Sequence, residues 1–213
     1  LQKVTGSAVY GADVNLPRML YAAVCRSPHA SAHILNVDIS EAQKVPGVKV
    51  IATGKDNIGL FGSYIIDQPI LAFDKVRYEG EPVAAVSAED MDAAVEAVRL
   101  IKVEYEPLIP VQGIEQAIRP DAPLLHEKWS DYKMASAVNP IDRSNICDHF
   151  HLEKGDVEAG FKEADIIVEN DYEGKGVVHA TIESHAAIAL YDEAGLTIWS
   201  PAQSPFAIRS QMS

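Results

Sequence analysis

Apolar and polar positions alternate or cluster in short runs along this chain, and their spacing predicts a sequence of strands with few helices. Leu20 to Arg26 (Leu-Tyr-Ala-Ala-Val-Cys-Arg) is a continuous apolar run closed by Ser27-Pro28. It is short and ends at a breaker, so it reads as a buried strand. Ala32–Asp38 and Val48–Thr53 read as further strands. Between them Ser40 begins a short helix, Ser40–Lys44, with Ser40 as its N-cap, stopped by Pro46-Gly47. Gly54 to Gln68 is a Gly-rich loop. The clearest unit follows. Val83–Val86 is a strand, and Ser87 with Asp90 three residues on is an Asp version of the capping box. Met91, Ala94, Val95 and Val98 then recur at helical spacing, giving one apolar face. Leu100 to Tyr105 alternates as a half-buried strand. Strand, helix and strand joined this closely predict a βαβ-like or split α+β unit.

The pattern breaks over residues 119–149, where Pro120, Pro123 and Pro140 stand among scattered polar residues without periodicity. A linker or long surface arm is expected there. Periodicity resumes at Asp156, which caps a short helix, Val157–Glu163. Asp165–Tyr172 reads as a strand. Ala186–Tyr191 and Leu196–Trp199 read as an antiparallel pair around the Asp192–Gly195 turn. Pro205–Met212 reads as the opening turns of a helix that stops in mid-pattern, and Leu1-Gln2-Lys3-Val4-Thr5 is neither a signal peptide nor a Met start. A piece of a longer chain is expected.

Composition narrows the class. The 213 residues are 47% hydrophobic and 23% charged, which fits a globular chain and excludes general disorder. Against 18 Lys and Arg stand 31 Asp and Glu, a net charge of −13. That balance argues against nucleic acid or an anionic membrane as partner. No run approaches the length of a membrane span. Two cysteines, Cys25 and Cys147, are too few for a disulfide scaffold and suit a cytoplasmic protein, although a single bridge between them stays open.

Candidate chemistry is sparse. Phosphate-binding glycine motifs are absent, and Gly174-Lys175-Gly176 opens no helix, so it reads as a turn. Asp148-His149-Phe150-His151 could turn two imidazoles to one face, but no further ligand stands at metal spacing, so no metal site is expected. His179 and Glu183 share a face on either a helix or a strand. Such a pair can do acid–base work or anchor a loop, and the spacing alone favours the anchor. An independent hydrolase built on them lacks a nucleophile or a metal set.

Three groups of residues carry a resemblance. They are Thr5–Asp13 with Met19–Ala30, Val76–Val86 with Ile101–Leu108, and Lys154–Phe161 with Ala164-Asp165. Together and in this order they resemble the large, molybdopterin-binding subunit of the xanthine dehydrogenase/aldehyde oxidase family. The resemblance implies an α+β fold: a hammerhead-like mixed sheet with helices over residues 1–118, a linker over 119–149, and the truncated start of a molybdopterin-binding domain over 150–213. It also implies an oxidoreductase acting on N-heterocycles, aldehydes or an aromatic acyl-CoA, with oxygen from water. Iron–sulfur and FAD subunits or domains, the rest of the molybdopterin subunit and a small-molecule substrate would be its partners. The family often carries Gly-Gly-Gln-x-His-x-x-x-Glu, with the Gln near the metal's oxo group. The matching stretch is Lys175 to Glu183, in which His179 and Glu183 agree and Val177 replaces the Gln. Valine cannot donate a hydrogen bond, which argues against a purine-type pocket. Gln203 matches a Thr-Gln position of the family and is a candidate wall residue. The family's Gly-rich pterin loop and its glutamate base are expected beyond residue 213. The isolated chain is therefore expected to bind no cofactor, to be inactive, and to form dimers through uncovered apolar surface. The competing expectation is a freestanding hammerhead-fold interaction module without redox chemistry.

Overall fold

The computed structural model describes all residues except 57, 58, 182 and 213. They form two compact units, Arg18–His151 and Leu1–Pro17 with Leu152–Ser213. A one-turn helix, α1 (Gln2–Thr5), opens the chain. The Arg18–His151 unit begins with β1 (Tyr21–Arg26), β2 (Ala32–Asp38) and β3 (Val48–Thr53). The short strands β4 (Leu60–Phe61), β5 (Ile65–Ile66), β6 (Gln68–Pro69) and β7 (Lys75–Val76) follow. Next come β8 (Pro82–Ala88), helix α2 (Met91–Leu100), β9 (Lys102–Pro107), α3 (Gly113–Ala117) and β10 (Lys133–Met134).

Strand β8 lies between β1 and β3 in one sheet, and β2 lies between β7 and β9 in another. The two-residue strands pair as β4 with β6 and β5 with β10. All of these pairings are antiparallel. Helix α2 therefore carries the chain from one sheet to the other, since β8 and β9 do not share a sheet. Of the two arrangements open from the sequence, the split α+β unit is the one found.

Two clusters fill the interior. Ala42, Ala84, Val86, Ala97 and Ile101 form the first. Ala32, Ala72, Val76 and Val83 form the second. Val37 and Val103 pack against both. Alanine dominates, and the largest fully buried side chains are Val76, Val83 and Val86, so the layers approach closely. The expected face of α2 is met in part: Ala94 is buried and Val98 packs against the first cluster. Ala97, outside that face, is buried as well, while Met91 is 47% exposed. The cap also differs. Ser87 still lies in β8, opposite Ala22 and Val50. Asp90 is the N-cap instead, its carboxylate accepting the Ala93 N–H at 2.8 Å. The helix expected from Ser40 shrinks to a 3-10 turn, Ala42–Lys44, with no side-chain cap. Asp38 takes the Ser40 N–H at 2.9 Å, and that bond holds the exposed carboxyl below its usual range.

Residues 119–149 lie against the sheets of their own unit. Lys75, its side chain only 6% exposed, donates to the Leu124 carbonyl at 2.9 Å and to Glu127 at 2.6 Å. Arg77 Nε donates to the Leu125 carbonyl at 3.2 Å. Asn145 accepts the Leu125 N–H and donates to the carbonyls of Ala117 and Pro123, so it knits the arm to itself. Backbone groups without a regular partner are thus satisfied by side chains.

The unit of Leu1–Pro17 with Leu152–Ser213 holds α4 (Val157–Glu163), the hairpin β11 (Ile188–Asp192) and β12 (Gly195–Trp199), and α5 (Pro205–Met212). Asp156 caps α4 as expected, accepting the Ala159 N–H at 2.9 Å. The hairpin closes with Asp192 opposite Gly195, which sits at φ 112° where L side chains are strained. The strand expected over Asp165–Tyr172 is not formed, and these residues belong to no described ladder. Ile166 and Val168 are 82% and 77% exposed, so the β-branched run lacks the sheet neighbours that make such residues a strand.

Candidate functional site

Val177, His179, Glu183 and Gln203 fall in the unit containing the hairpin, whereas Asp148, His149 and His151 belong to the Arg18–His151 unit. Val177 is 84% exposed, and His179 and Gln203 are exposed as well. Glu183 is half-buried, and its Oε1 accepts the backbone N–H of Gly11 at 3.2 Å. No hydrogen bond or ion pair joins His179 to Glu183 among the described residues. The carboxylate that could have served the imidazole is engaged with the lead-in segment. Gly11 starts a 3-10 turn, Gly11–Asp13, held by the Asp13 N–H on the Tyr10 carbonyl at 3.0 Å and by the Tyr10 N–H on the Asp13 carboxylate at 2.9 Å. The Thr181 hydroxyl donates to the Glu183 carbonyl at 2.9 Å. An open cleft of about 660 Å³ lies here, lined by Val9, Tyr10, Gly11, Glu183, Trp199 and Pro201 among others. The stretch from 165 to 180 makes no backbone ladder among the described residues, and a Cβ at Gly174 or Gly176 would meet nothing within 4 Å. Gly174 and Gly176 thus present open backbone outside any described ladder.

A second cluster, in the Arg18–His151 unit, was not legible in the sequence. His126 Nδ1 lies 3.2 Å from the Tyr132 hydroxyl, and Nε2 lies 3.7 Å from Asp67. These groups line a cavity of about 220 Å³ with Leu125, Asn145 and Ile146. The polar lining is already committed, since Asn145 and Ser144 bond to the arm's own backbone. The cluster therefore ties the arm to Asp67. Burial, followed by the Arg77 and Lys75 charges, pushes the His126 imidazole below its ordinary value against the opposing pull of Asp67 and Glu127. A depressed histidine costs stability as acid is added: the unfolded chain takes the proton near pH ~6.5, before the folded one does. Thermal unfolding should hold steady above that pH and decline below it, and His126→Gln should flatten this part of the profile. An unchanged profile in the variant would remove His126 as the cause.

A third arrangement accounts for two of the motif segments. The Gly80 N–H donates to the Ser27 carbonyl at 2.8 Å, the Ser27 N–H to the Glu81 carbonyl at 2.9 Å, and Arg26 Nη1 to the Gly80 carbonyl at 2.8 Å. Gly80 sits at φ 89°. Glu81 is buried and accepts the Arg77 N–H at 2.5 Å. Burial pushes its carboxyl up, opposed by that bond and by the Arg77 charge. Arg26-Ser27 and Arg77–Glu81 are thus one structural joint. Both cysteines are free thiols, and no group of three His, Cys, Asp or Glu among the described residues could hold a metal ion. Among these residues no helix is long and apolar enough to cross a membrane.

Comparison with known proteins agrees with this architecture. Residues 5–109 match the model of the aldehyde oxidase and xanthine dehydrogenase a/b hammerhead domain, and residues 138–213 match that of the molybdopterin cofactor-binding domain. A probable xanthine dehydrogenase subunit of Bacillus subtilis is 37% identical over 99% of this chain and 27% of its own length. The nicotinate dehydrogenase large molybdopterin subunit of Eubacterium barkeri is 36% identical over 100% of this chain and 47% of its own. Among solved structures, the Cu,Mo carbon monoxide dehydrogenase in its carbon monoxide reduced state superposes with a TM-score of 0.85 at 34% identity, covering 100% of this chain and 28% of that one. Fold and sequence define a hammerhead-type α+β unit joined to a molybdopterin-domain segment. The chain belongs to the xanthine dehydrogenase/aldehyde oxidase family of molybdopterin-binding large subunits. It spans between about a quarter and a half of the length of these relatives.

Proposed function

We propose that the protein belongs to the large subunit of a cytoplasmic molybdenum hydroxylase acting on small N-heterocycles or aldehydes, or reductively on an aromatic acyl-CoA. The observation that carries this reading is the pair of family matches, 5–109 and 138–213, which run in order along nearly the whole chain. In the oxidative direction a C–H bond and one water become a C–OH bond, two protons and two electrons. The electrons leave to iron–sulfur centres on partner subunits or domains. The molybdenum pterin supplies the redox chemistry when bound. Backbone N–H groups near Gly174 and Gly176 would help hold it, and Glu183 keeps their segment on the lead-in turn. Val177 offers no donor, so the surface at that position is apolar and suits a substrate other than a purine.

The test is purification of the full-length gene product with its partners. Stoichiometric molybdenum, and turnover of an N-heterocycle or aldehyde with label from ¹⁸O-water in the product, are expected. A full-length protein without molybdenum or turnover would favour the freestanding interaction module. Residues 1–213 alone should carry no molybdenum by elemental analysis and should self-associate through the exposed apolar positions Ile166, Val168, Val177 and Val178. Sedimentation at rising concentration reads that association.

A further inference from the structure

We propose that Glu183 is a positioning residue, whose carboxylate fixes the segment bearing Val177 and His179 by holding the Gly11 N–H. This rests on the functional reading above. Both ends of the contact are pre-formed. The Tyr10–Asp13 turn is closed by its own two hydrogen bonds, and the Thr181 hydroxyl fixes the backbone at Glu183. Between them Ala180 sits at φ 48°, a left-handed conformation that a side-chain-bearing residue adopts only when its surroundings require it. The preceding stretch, 165–180, is held by no ladder among the described residues, and the Glu183–Gly11 bond ties the chain just beyond its end.

Gly11→Pro deletes the donor and sets its Cδ where the hydrogen pointed, so the Glu183 carboxylate must swing away from the turn. Gly11 is the first residue of its 3-10 turn, where proline fits, and Tyr10 before it is extended (φ −103°, ψ 167°), the conformation that proline imposes on its predecessor. A Cβ at Gly11 would meet Ala186 and Pro201 at ordinary contact distances of 3.6 and 3.7 Å. In the full-length protein with its cofactor, Glu183→Ala and Gly11→Pro should each lower molybdenum content and kcat/KM about tenfold, the loss expected for one hydrogen bond to a charged group. The double variant should be no worse than either single one. Glu183→Gln, which keeps an acceptor oxygen, should recover most of the loss. Wild-type behaviour in Gly11→Pro alongside a damaged Glu183→Ala would overturn the proposal. So would loss of kcat in Glu183→Gln with molybdenum content and KM intact, which would make Glu183 a catalytic residue. Should wild-type protein carry no molybdenum, limited proteolysis within 165–180 decides instead. Faster cleavage in Glu183→Ala and Gly11→Pro, but not in Glu183→Gln, supports the tie, and equal rates in all four proteins defeat it.

Discussion

Replacing Gly54 with alanine is expected to destabilise the Arg18–His151 unit by about 3 kcal/mol or more, the range of severe overpacking in a closed interior. Gly54 is buried at the end of β3 and opens a 3-10 turn, Gly54–Asp56. A Cβ there would run into the Ala72 carbonyl oxygen and lie 2.6 Å from the Phe73 Cα. Both are main-chain atoms, so no rotamer change relieves the contact. Ala72 also belongs to the second core cluster, and pushing it away loosens Val76 and Val83. Gly80→Ala makes the natural control. Its Cβ would meet nothing within 4 Å, although φ is 89°, so only the left-handed conformation is penalised, at about 1 kcal/mol. Denaturant titration of the two variants measures the gap. A Gly54→Ala protein as stable as Gly80→Ala would mean that the backbone at 72–73 moves aside freely.

The Lys75–Glu127 contact should respond asymmetrically to substitution. Lys75 is buried, whereas the Glu127 side chain is 54% exposed. Glu127→Ala leaves an ammonium inside the unit with the Leu124 carbonyl as its acceptor. About 2–3 kcal/mol should be lost, somewhat less than for a fully enclosed pair. Lys75→Met removes the charge and keeps the hydrocarbon stem. Glu127 can then turn to water, and the loss should be about 1 kcal/mol, mostly from the Leu124 carbonyl. In the double variant the penalty should fall back to that of Lys75→Met. Protease sensitivity of residues 119–149 should follow the same order, since these side chains hold the arm. Equal losses in both single variants would show that the pair behaves like an exposed one.

Strands β1, β2, β3 and β8 were legible because each is an apolar run or alternation long enough to show its period, which the two-residue strands β4 to β7 are not. β1, β2 and β3 stand within a residue of where the pattern put them. Helix α2 was legible as a helix and in part in its facing: Ala94 and Val98 meet the core as spaced, whereas Met91 is exposed and Ala97, which periodicity passed over, is buried. The arm failed for a different reason. Ile65-Ile66 pairs with Met134 and Lys133, so each strand is defined by a partner far away in sequence and by nothing in its own two residues. Asp165–Tyr172 is the converse: its composition is that of a strand, but no described strand lies beside it. The Glu183–Gly11 bond joins residues 172 positions apart. Spacing proposed His179 as the partner of Glu183, and no pattern within the motif could indicate a backbone donor in the lead-in. The joint between Arg26-Ser27 and Arg77–Glu81 was visible as two motifs, but not as a single contact.

Val37 and Val103 touch both core clusters, and this couples the fates of the two sheets. If either sheet opened, these shared side chains would lose their neighbours on that side, which weakens the packing of the other sheet. Amide protons deep in β8 and in β2 should therefore exchange with solvent at one common rate through whole-unit opening, instead of through two separate subglobal events. Pruning either valine to alanine should lift exchange in both sheets by the same factor.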